Sequence, residues 1–464
     1  MLCQNCHTKD AGVHLRRIIN GEAAEVHLCA DCARALGYGD LFSGFAFPFA
    51  SRAAQPLAGP DFSALGNRVV RCEVCGLSFD DIVRAARPGC PNCYRVFGEK
   101  FTPVIRKMHG RARYQPAPKT PAAVPAADGE KWYKTASEHG DIVLGSTVTL
   151  TANVEGLPVP ARLTPVQRNS LGRKILSALG EKTAGFTLAD PARLYPYEVA
   201  ALAERGLITP EFASSADGSL LAFSPDERLS VMLCDEDHMK IRAAVGGLAP
   251  EKAFAMAADL RAAVNAAMPL AVSPELGYLN QSPADLGTGC VPAVIVHLPV
   301  LSRTGKIPAL SSIMGKLGVT IAPFGGSGLN VVGDLYRVSN TVALGLNVTE
   351  ALSNLKSFCL QLETRERAAA EAYVRELAAQ DRISRAVSVL SGAKLLTANE
   401  MSEMLSWIRL GAARSQCEFD IPTVNELMLT LQPAGVNTLA GQKLPHEQRD
   451  EMRAAIVRKA LFPA

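Results

Sequence analysis

This chain has almost no excess of charge of either sign: 48 basic residues stand against 45 acidic ones, for a formal net charge of +3. So close a balance gives no reason to expect binding to nucleic acid or to an anionic membrane surface, both of which need a basic face. Long apolar runs are also missing. No uninterrupted hydrophobic stretch approaches the roughly 20 residues that span a bilayer, and the opening MLCQNCHTKD has neither the charged start nor the apolar centre of a secretion signal. The expectation is a cytoplasmic protein with no membrane segment. After residue 93 cysteine becomes scarce. Only Cys234, Cys290, Cys359 and Cys417 remain, scattered among apolar neighbours, where a thiol packs as a small hydrophobe.

The other cysteines are concentrated. Eight of them form four C-x-x-C pairs within the first 93 residues: Cys3/Cys6, Cys29/Cys32, Cys72/Cys75 and Cys90/Cys93. Two such pairs separated by a loop of this length have the spacing of a tetrahedral four-thiolate zinc site, because each pair sits on a tight knuckle that aims both sulfurs at one ion. The pattern predicts two structural zinc ions. With four thiolates on each, neither keeps an open position for a substrate. Between the first two pairs, VHLRRIINGEAAEVHL reads as a hairpin turned at Asn20-Gly21.

Composition divides the rest. A zinc module over 1–37 is followed by a Gly-, Phe-, Ala- and Pro-rich linker over 38–66, and a second zinc module over 67–110 by a Pro/Ala-rich linker over 111–130. Over 131–364 strand-like runs such as DIVLGSTVTLTANV, LSVMLCD and AVIVHLPVL alternate with helical ones such as PEKAFAMAADLRAAVNAAM. The region 365–464 is helical in pattern throughout, so the chain reads as an α+β multidomain protein.

Certain segments point to a family. The two four-cysteine modules, the second closed by GCPNCYRVFGEKFTPVIRKMHG, resemble the zinc-binding activator of bacterial protein arginine kinase. From about Trp132 onward the chain resembles protein arginine kinase itself, a relative of the phosphagen kinases, on LSVMLCDEDHMKIR, LGTGCVPAVIVHLP, LYRVSNTVALG, LSWIRLGAA, NELMLTLQPAGVNTLAG and QRDEMRA, in the family's order. The resemblance implies a fusion of activator and kinase, with a phosphagen-kinase-like antiparallel sheet flanked by helices and then a helical C-terminal domain.

Phosphorylating a guanidinium needs a carboxylate to take its proton and a shell of cations to hold the triphosphate. In LCDEDHMKI the family's catalytic acid matches Glu236, and the run reads as a strand with Glu236 and His238 on one face and Asp235 and Asp237 on the other. A metal held by these acids is a weak candidate, since neighbouring ligands on a strand diverge. The cations differ from the family's. Where the resemblance implies six arginines around the nucleotide, this chain has Thr147, Thr149, Ala152, Lys240, Val291 and Ala322. Gly145 and Ser146 precede that set, and Ser327 stands at a family glutamate within PFGGSGLN, a turn able to form a nest of backbone amides. ATP and magnesium are therefore not expected as ligands, and Glu236 reads as a vestigial base.

One family motif is intact. QRDEMRAA places Arg449 and Arg453 four apart on a helix, with Asp450 beside them and Ala454 following. Read alone it is a solvated helix face. By resemblance it is a phosphoarginine pocket, with two guanidinium forks for a phosphate and a carboxylate for the ligand's guanidinium. The resulting expectation is an inactive kinase-like protein that binds phosphoarginine-marked proteins, with a Clp-type unfoldase or protease, or an active arginine kinase, as partner. A homodimer is also compatible. An active kinase with a rearranged cation shell and a purely structural zinc adaptor are the alternatives, separated by the number of cations, Lys240, Arg242 and Arg337 among them, that face Glu236.

Overall fold

The computed structural model describes residues 70–109, 113–116, 129–214, 217–324, 332–340 and 344–463, together with the strand backbones of 13–19 and 22–28. Cys3, Cys6, Cys29 and Cys32, the linker 38–66, most of 111–130, and Ser327 with its glycine-rich turn lie outside the described residues. By contacts the chain divides into two units, Met1–Val70 with Ser78–Arg87, and Arg71–Leu77 with Pro88–Ala464.

In the first unit, β1 (Val13–Ile19) and β2 (Glu22–Leu28) pair antiparallel, with Ile19 opposite Glu22, while the predicted turn residues Asn20 and Gly21 lie outside the described residues. Helix α1 (Phe79–Ala85) opens on a capping box in which Ser78 and Asp81 bond each other's backbone amides.

The second unit begins with the Cys72/Cys75 knuckle, then the short helix α2 (Asn92–Val96) and α3 (Gly98–His109). Its centre is one antiparallel sheet of eight strands. In chain order these are β3 (Val143–Ala152), β4 (Thr187–Ala189), β5 (Leu220–Phe223), β6 (Leu229–Leu233), β7 (Met239–Gly246), β10 (Cys290–His297), β11 (Val319–Pro323) and β12 (Leu335–Asn340), with a small separate hairpin, β8 (Val272–Ser273) and β9 (Gly277–Tyr278). The spatial order is β11-β12-β10-β3-β7-β6-β5-β4. Helices α4 (Pro165–Leu179), α5 (Pro196–Glu204), α6 (Pro210–Ala213), α7 (Pro250–Ala267), α8 (Pro299–Arg303) and α9 (Ile307–Gly315) are interleaved with the strands. The remaining helices, α10 (Val348–Tyr373), α11 (Leu377–Gly392), α12 (Ala398–Ala413), α13 (Ile421–Thr430), α14 (Pro433–Ala440) and α15 (His446–Leu461), follow them.

Alternation along the strands separates the two faces of the sheet. One face carries Val148, Leu150, Ile241 and Ala243 against Leu171 and Ile175 of α4 and Ala253, Ala257 and Leu260 of α7. The stripe Leu355, Cys359 and Leu362 of α10 covers Val294, Val296 and Val338 on the same side. Cys234, Cys290 and Cys359 are buried, as their apolar neighbours predict.

Helix α10 starts at the Asn347 cap and continues through Thr364 without a break, so the last part of the kinase-like region and the first part of the helical region share one rod. The core is shared as well. Trp132, Ala244, Ile295 and Leu335 pack in one cluster with Met401, Leu405, Ile408, Val424, Met428 and Val457. The fully buried Arg409 of α12 donates to the carbonyls of Gly140 and Asp141, both at 2.8 Å, and Asp141 accepts from Arg367 and Arg414. Among the described residues no helix is long and apolar enough to cross a membrane.

Candidate functional site

The acidic run is not a continuous strand. β6 and β7 close at the Leu233–Met239 pair, so Cys234 to His238 form the hairpin's turn, with Cys234 left-handed at φ 58 and its amide bonded to the His238 carbonyl. The expected two-faced alternation of the acids is thereby overturned. A turn sends neighbouring side chains in unrelated directions, and here it sends two inward and two outward.

Asp237 and His238 are the inward pair. Asp237 Oδ1 accepts from Asn153 Nδ2 at 2.5 Å and from the Gln281 amide at 2.7 Å. Burial pushes this carboxyl up to about 7, against those two donors. His238 Nδ1 accepts from the Val154 amide at 3.0 Å, and its Nε2 donates to the Pro158 carbonyl at 2.8 Å. Those partners require the neutral ring protonated on Nε2, and burial holds its pKa down at about 4. Both residues fasten the turn to the end of β3 and to the segment after β9. Among the described residues, only four cysteines gather as a metal-holding group, and none of these acids belongs to it.

Asp235 and Glu236 are half-buried and outward. Burial raises the Asp235 carboxyl while the Lys240 ammonium opposes the rise. The same burial and the same lysine act on Asp285, with the Glu236 charge adding to the rise. Glu236 thus stands in a group with Asp235, Asp285 and Lys240. Sequence reasoning missed Asp285, Asn153 and Gln281, which lie more than 40 residues from the acidic run and carry no motif spacing.

The anchoring makes a prediction. Asn153→Ala removes the shortest bond to Asp237 and strands the His238 amide and the Leu279 carbonyl, which Asn153 also serves at 2.9 and 3.1 Å. At about 1–3 kcal/mol for each buried group left unpaired, the loss should be roughly 3 kcal/mol, seen as a lower midpoint in thermal unfolding. An unchanged midpoint would mean that these bonds contribute nothing to the turn.

Register decides which of the substituted positions act together, since residues opposite one another in antiparallel strands share a face. Thr149 lies opposite Arg242 and Val291, Thr147 opposite Ala244 and Ala293, and Gly145 opposite Ile295, which in turn faces Arg337 and, through it, Ala322. Lys240 is two residues from Arg242 on the same face. Five of the six positions therefore look the same way, and Ala152 alone points into the opposite core beside Val148 and Leu150.

Part of the shared face is filled. A Cβ on Gly145 would come within 2.6 Å of the Trp132 ring, which is fully buried there. Two arginines remain on it. Burial, and then the charge of Arg337, push Arg242 down to about 9, while burial lowers Arg337. Glu227, which favours the Arg242 charge, already pairs with Lys131 at 2.7 Å and Arg205 at 3.3 Å.

The second zinc module is built as its spacing requires. The Cys72 and Cys90 sulfurs are 3.4 Å apart, Cys75 and Cys93 3.4 Å, Cys90 and Cys93 3.8 Å, and all four lie within 4.8 Å of one another. Four sulfurs held about 2.3 Å from one tetrahedral ion would be roughly 3.8 Å apart. The hydrogen bond with Cys90 pulls Cys93 down to about 5, and burial pushes Cys75 up to about 12, so a cation is needed before all four become thiolates. The Gly76 amide bonds the Cys72 carbonyl, and Gly76 has φ 74, which favours glycine.

This module docks beside the acidic turn. The Tyr94 hydroxyl, fully buried, donates to the Asn280 carbonyl at 2.9 Å, and His109 Nε2 meets the Pro283 carbonyl at 2.7 Å. Arg95 forks onto Glu155 at 2.5 and 3.0 Å, and Arg162 Nη2 donates to the Cys75 carbonyl. Asn280 adjoins Gln281, whose amide holds Asp237, so the finger backs the same segment that fixes the turn.

In the C-terminal motif, Arg453 is fully buried. It donates from Nε to the Leu431 carbonyl at 2.9 Å and from Nη1 to the Leu396 carbonyl at 2.8 Å and to Asp450 Oδ1 at 2.5 Å. Its Nη2 and the Arg449 Nε are buried nitrogens without a hydrogen-bond partner. The motif is therefore not a uniformly solvated face. Arg453 ties α15 to the end of α13 and to the segment ahead of α12, and Arg449, half-buried with Nη2 on His446 Nδ1 at 2.6 Å, is the arginine still able to swing.

Comparison with known proteins agrees with these pieces. Residues 70–115 match the McsA central zinc-finger domain, 169–369 the C-terminal catalytic domain of ATP:guanido phosphotransferases, and 376–463 the protein-arginine kinase McsB C-terminal domain. The protein-arginine kinases of Halothermothrix orenii and Moorella thermoacetica are each 31% identical over 336 and 339 residues, which is 71% of this chain and 96% and 97% of theirs. That of Symbiobacterium thermophilum is 30% identical over 342 residues, 71% of this chain and 96% of its own. A lombricine kinase crystal structure covers 63% of this chain and 86% of its own at TM-score 0.53 and 21% identity. A duplicated taurocyamine kinase from Schistosoma mansoni covers 72% and 49% at TM-score 0.53 and 18% identity. These two likenesses show the phosphagen kinase fold. With an antiparallel sheet of that fold, a helical C-terminal region and a four-cysteine module ahead of them, the chain belongs to the protein-arginine kinase family.

Proposed function

We propose that this protein is a kinase-family member whose nucleotide site has lost its grip on phosphate and which now reads phosphoarginine on marked proteins, with its activator module fused in cis. The observation that carries this reading is the shared sheet face. Thr147, Thr149, Val291 and Ala322 line it where the family places arginines, and Trp132 covers the row at Gly145. Removing one transition-state arginine from a phosphoryl-transfer site costs roughly 10³ to 10⁵ in rate, and losing a set leaves little. Glu236 is then a base with no phosphate delivered to it. A cytoplasmic place in protein quality control, with a Clp-type unfoldase or a separate active arginine kinase as partner, follows from the family resemblance.

A second reading, an active arginine kinase, is favoured by Arg242 and Arg337. A buried arginine beside a half-buried one whose charge lowers its affinity for protons is a ready place for an anion. The test is transfer of labelled γ-phosphate to a general protein substrate by the full-length chain. The expected result is no phosphoarginine and weak or no ATP binding. Transfer that disappears in Glu236→Gln would establish the active kinase instead, while ATP binding without transfer would make the nucleotide a structural ligand.

A further inference from the structure

A cavity lies away from both of those sites, between α3 of the zinc module and the β8–β9 hairpin. Its volume is about 830 Å³, within the roughly 300–1,000 Å³ of small-molecule pockets. The lining is charged at both ends of the scale. Arg106 and Arg113 supply two guanidinium groups and Glu275 one carboxylate, with the hydroxyl of Thr102 and the apolar Leu276 and Leu279 between them. A third arginine of the lining, Arg95, is already committed to Glu155. Among the described residues neither Arg106 nor Arg113 has an acid within ion-pair distance, and Glu275 has no basic partner either.

Unpaired charges of opposite sign in one cavity invite a ligand that carries both. Two planar forks suit a doubly charged phosphoryl group, which each can grip through two parallel N–H bonds. A lone carboxylate suits a cation at the ligand's other end. The Glu275 carboxylate sits on a fixed backbone, because its carbonyl accepts from the Tyr114 amide at 2.5 Å and its own amide bonds Ser273 Oγ at 3.3 Å. The Tyr114 bond also places the residue after Arg113 against the hairpin.

We infer that this cavity is a binding site for a small phosphorylated ligand with a cationic end, a phosphoguanidine such as phosphoarginine. It is held by Arg106 and Arg113 at the phosphoryl group and by Glu275 at the nitrogen end. The site does not depend on how the Arg449 motif is read. Its position gives it a route to the acidic turn: Leu279 lines the cavity, and its carbonyl accepts from Asn153, which holds Asp237.

The test is calorimetry on the full-length, zinc-loaded protein carrying Arg449→Ala, so that the C-terminal motif contributes least. Phosphoarginine should bind, inorganic phosphate more weakly because it offers nothing to Glu275, and arginine least. Arg106→Ala or Arg113→Ala should weaken phosphoarginine about tenfold to a hundredfold. Both side chains are exposed, so these changes should leave the zinc content and the unfolding midpoint in place. Glu275→Gln should bring phosphoarginine and inorganic phosphate towards equal affinity. A phosphoarginine peptide that binds with the same dependence on Arg106 would identify the source as a protein side chain, and binding of the free amino acid alone would identify a metabolite. No binding of either phosphate ligand, or affinities indifferent to both arginine changes, would overturn the assignment.

Discussion

Cys90→Ser with Cys93→Ser is expected to halve the zinc of the purified chain, from two ions to one, and to release the second module from the kinase-like region. The module spans about 40 residues and buries few apolar side chains beyond Ile82, Tyr94, Phe97, Phe101 and Ile105, too few to hold it folded without its ion. Structural zinc in small modules supplies roughly 10–16 kcal/mol of apparent binding energy, which is folding energy for the module. Loss of the ion should therefore melt the Cys72–His109 region and with it the Tyr94 bond to Asn280 and the Arg95 fork on Glu155. Hydrogen exchange gives the readout. The Gln281 amide, bonded to Asp237 in the intact protein, should exchange much faster once the finger no longer backs that segment, whereas amides of the central strands β3 and β10 should keep their protection. Unchanged zinc, or unchanged exchange at Gln281 after the ion is lost, would mean that the finger does not support the turn.

The second large effect concerns the C-terminal motif. Full-length protein should bind phosphoarginine and not arginine, since the unpartnered nitrogens at Arg449 and Arg453 have nothing to donate to until a phosphate arrives. Arg449→Ala should weaken the binding about tenfold to a hundredfold, the effect of one bond to a charged group worth roughly 1.5–3 kcal/mol. Asp450→Ala should weaken it too, through the ligand's guanidinium, and Glu451→Ala, exposed one step around the helix, should matter little. Arg453→Ala belongs in a different class. That side chain bonds the carbonyls of Leu396 and Leu431 from a fully buried position, so its removal should lower the unfolding midpoint as well as the affinity. The measurement needs the whole chain, because the C-terminal helices share their core with Trp132, Ala244 and Ile295. Equal heats for phosphoarginine and arginine would remove the pocket, and indifference to both Arg449→Ala and Asp450→Ala would leave Arg453 as a packing residue only.

Much of this was written locally. The C-x-x-C spacing specified the sulfur cluster at Cys72, Cys75, Cys90 and Cys93, because a knuckle is a few residues of backbone and its geometry does not depend on distant parts of the chain. The pairing of β1 with β2, the strand over Val143–Ala152 and the helix over Pro250–Ala267 were legible for the same reason: hydrophobic period and turn chemistry are short-range signals. Family segments supplied Glu236 and the list of altered positions.

What the sequence could not supply is every relation between residues far apart in it. Register alone put Thr147, Thr149, Val291 and Ala322 on one face and sent Ala152 to the other, since a strand's facing is set by its neighbours' hydrogen bonds and not by its own residues. The β6–β7 turn converted an expected strand into an anchor, with Asp237 and His238 spent on Asn153, Val154 and Gln281. Arg453 reads as exposed in a helix of charged residues and is buried because three other helices close over it. Docking of the finger on Asn280 and Pro283, across more than 170 residues of chain, is likewise a product of packing. Sequence by itself determined which chemical groups this protein owns. Tertiary structure decided which of them meet, because burial and pairing are properties of the closed fold.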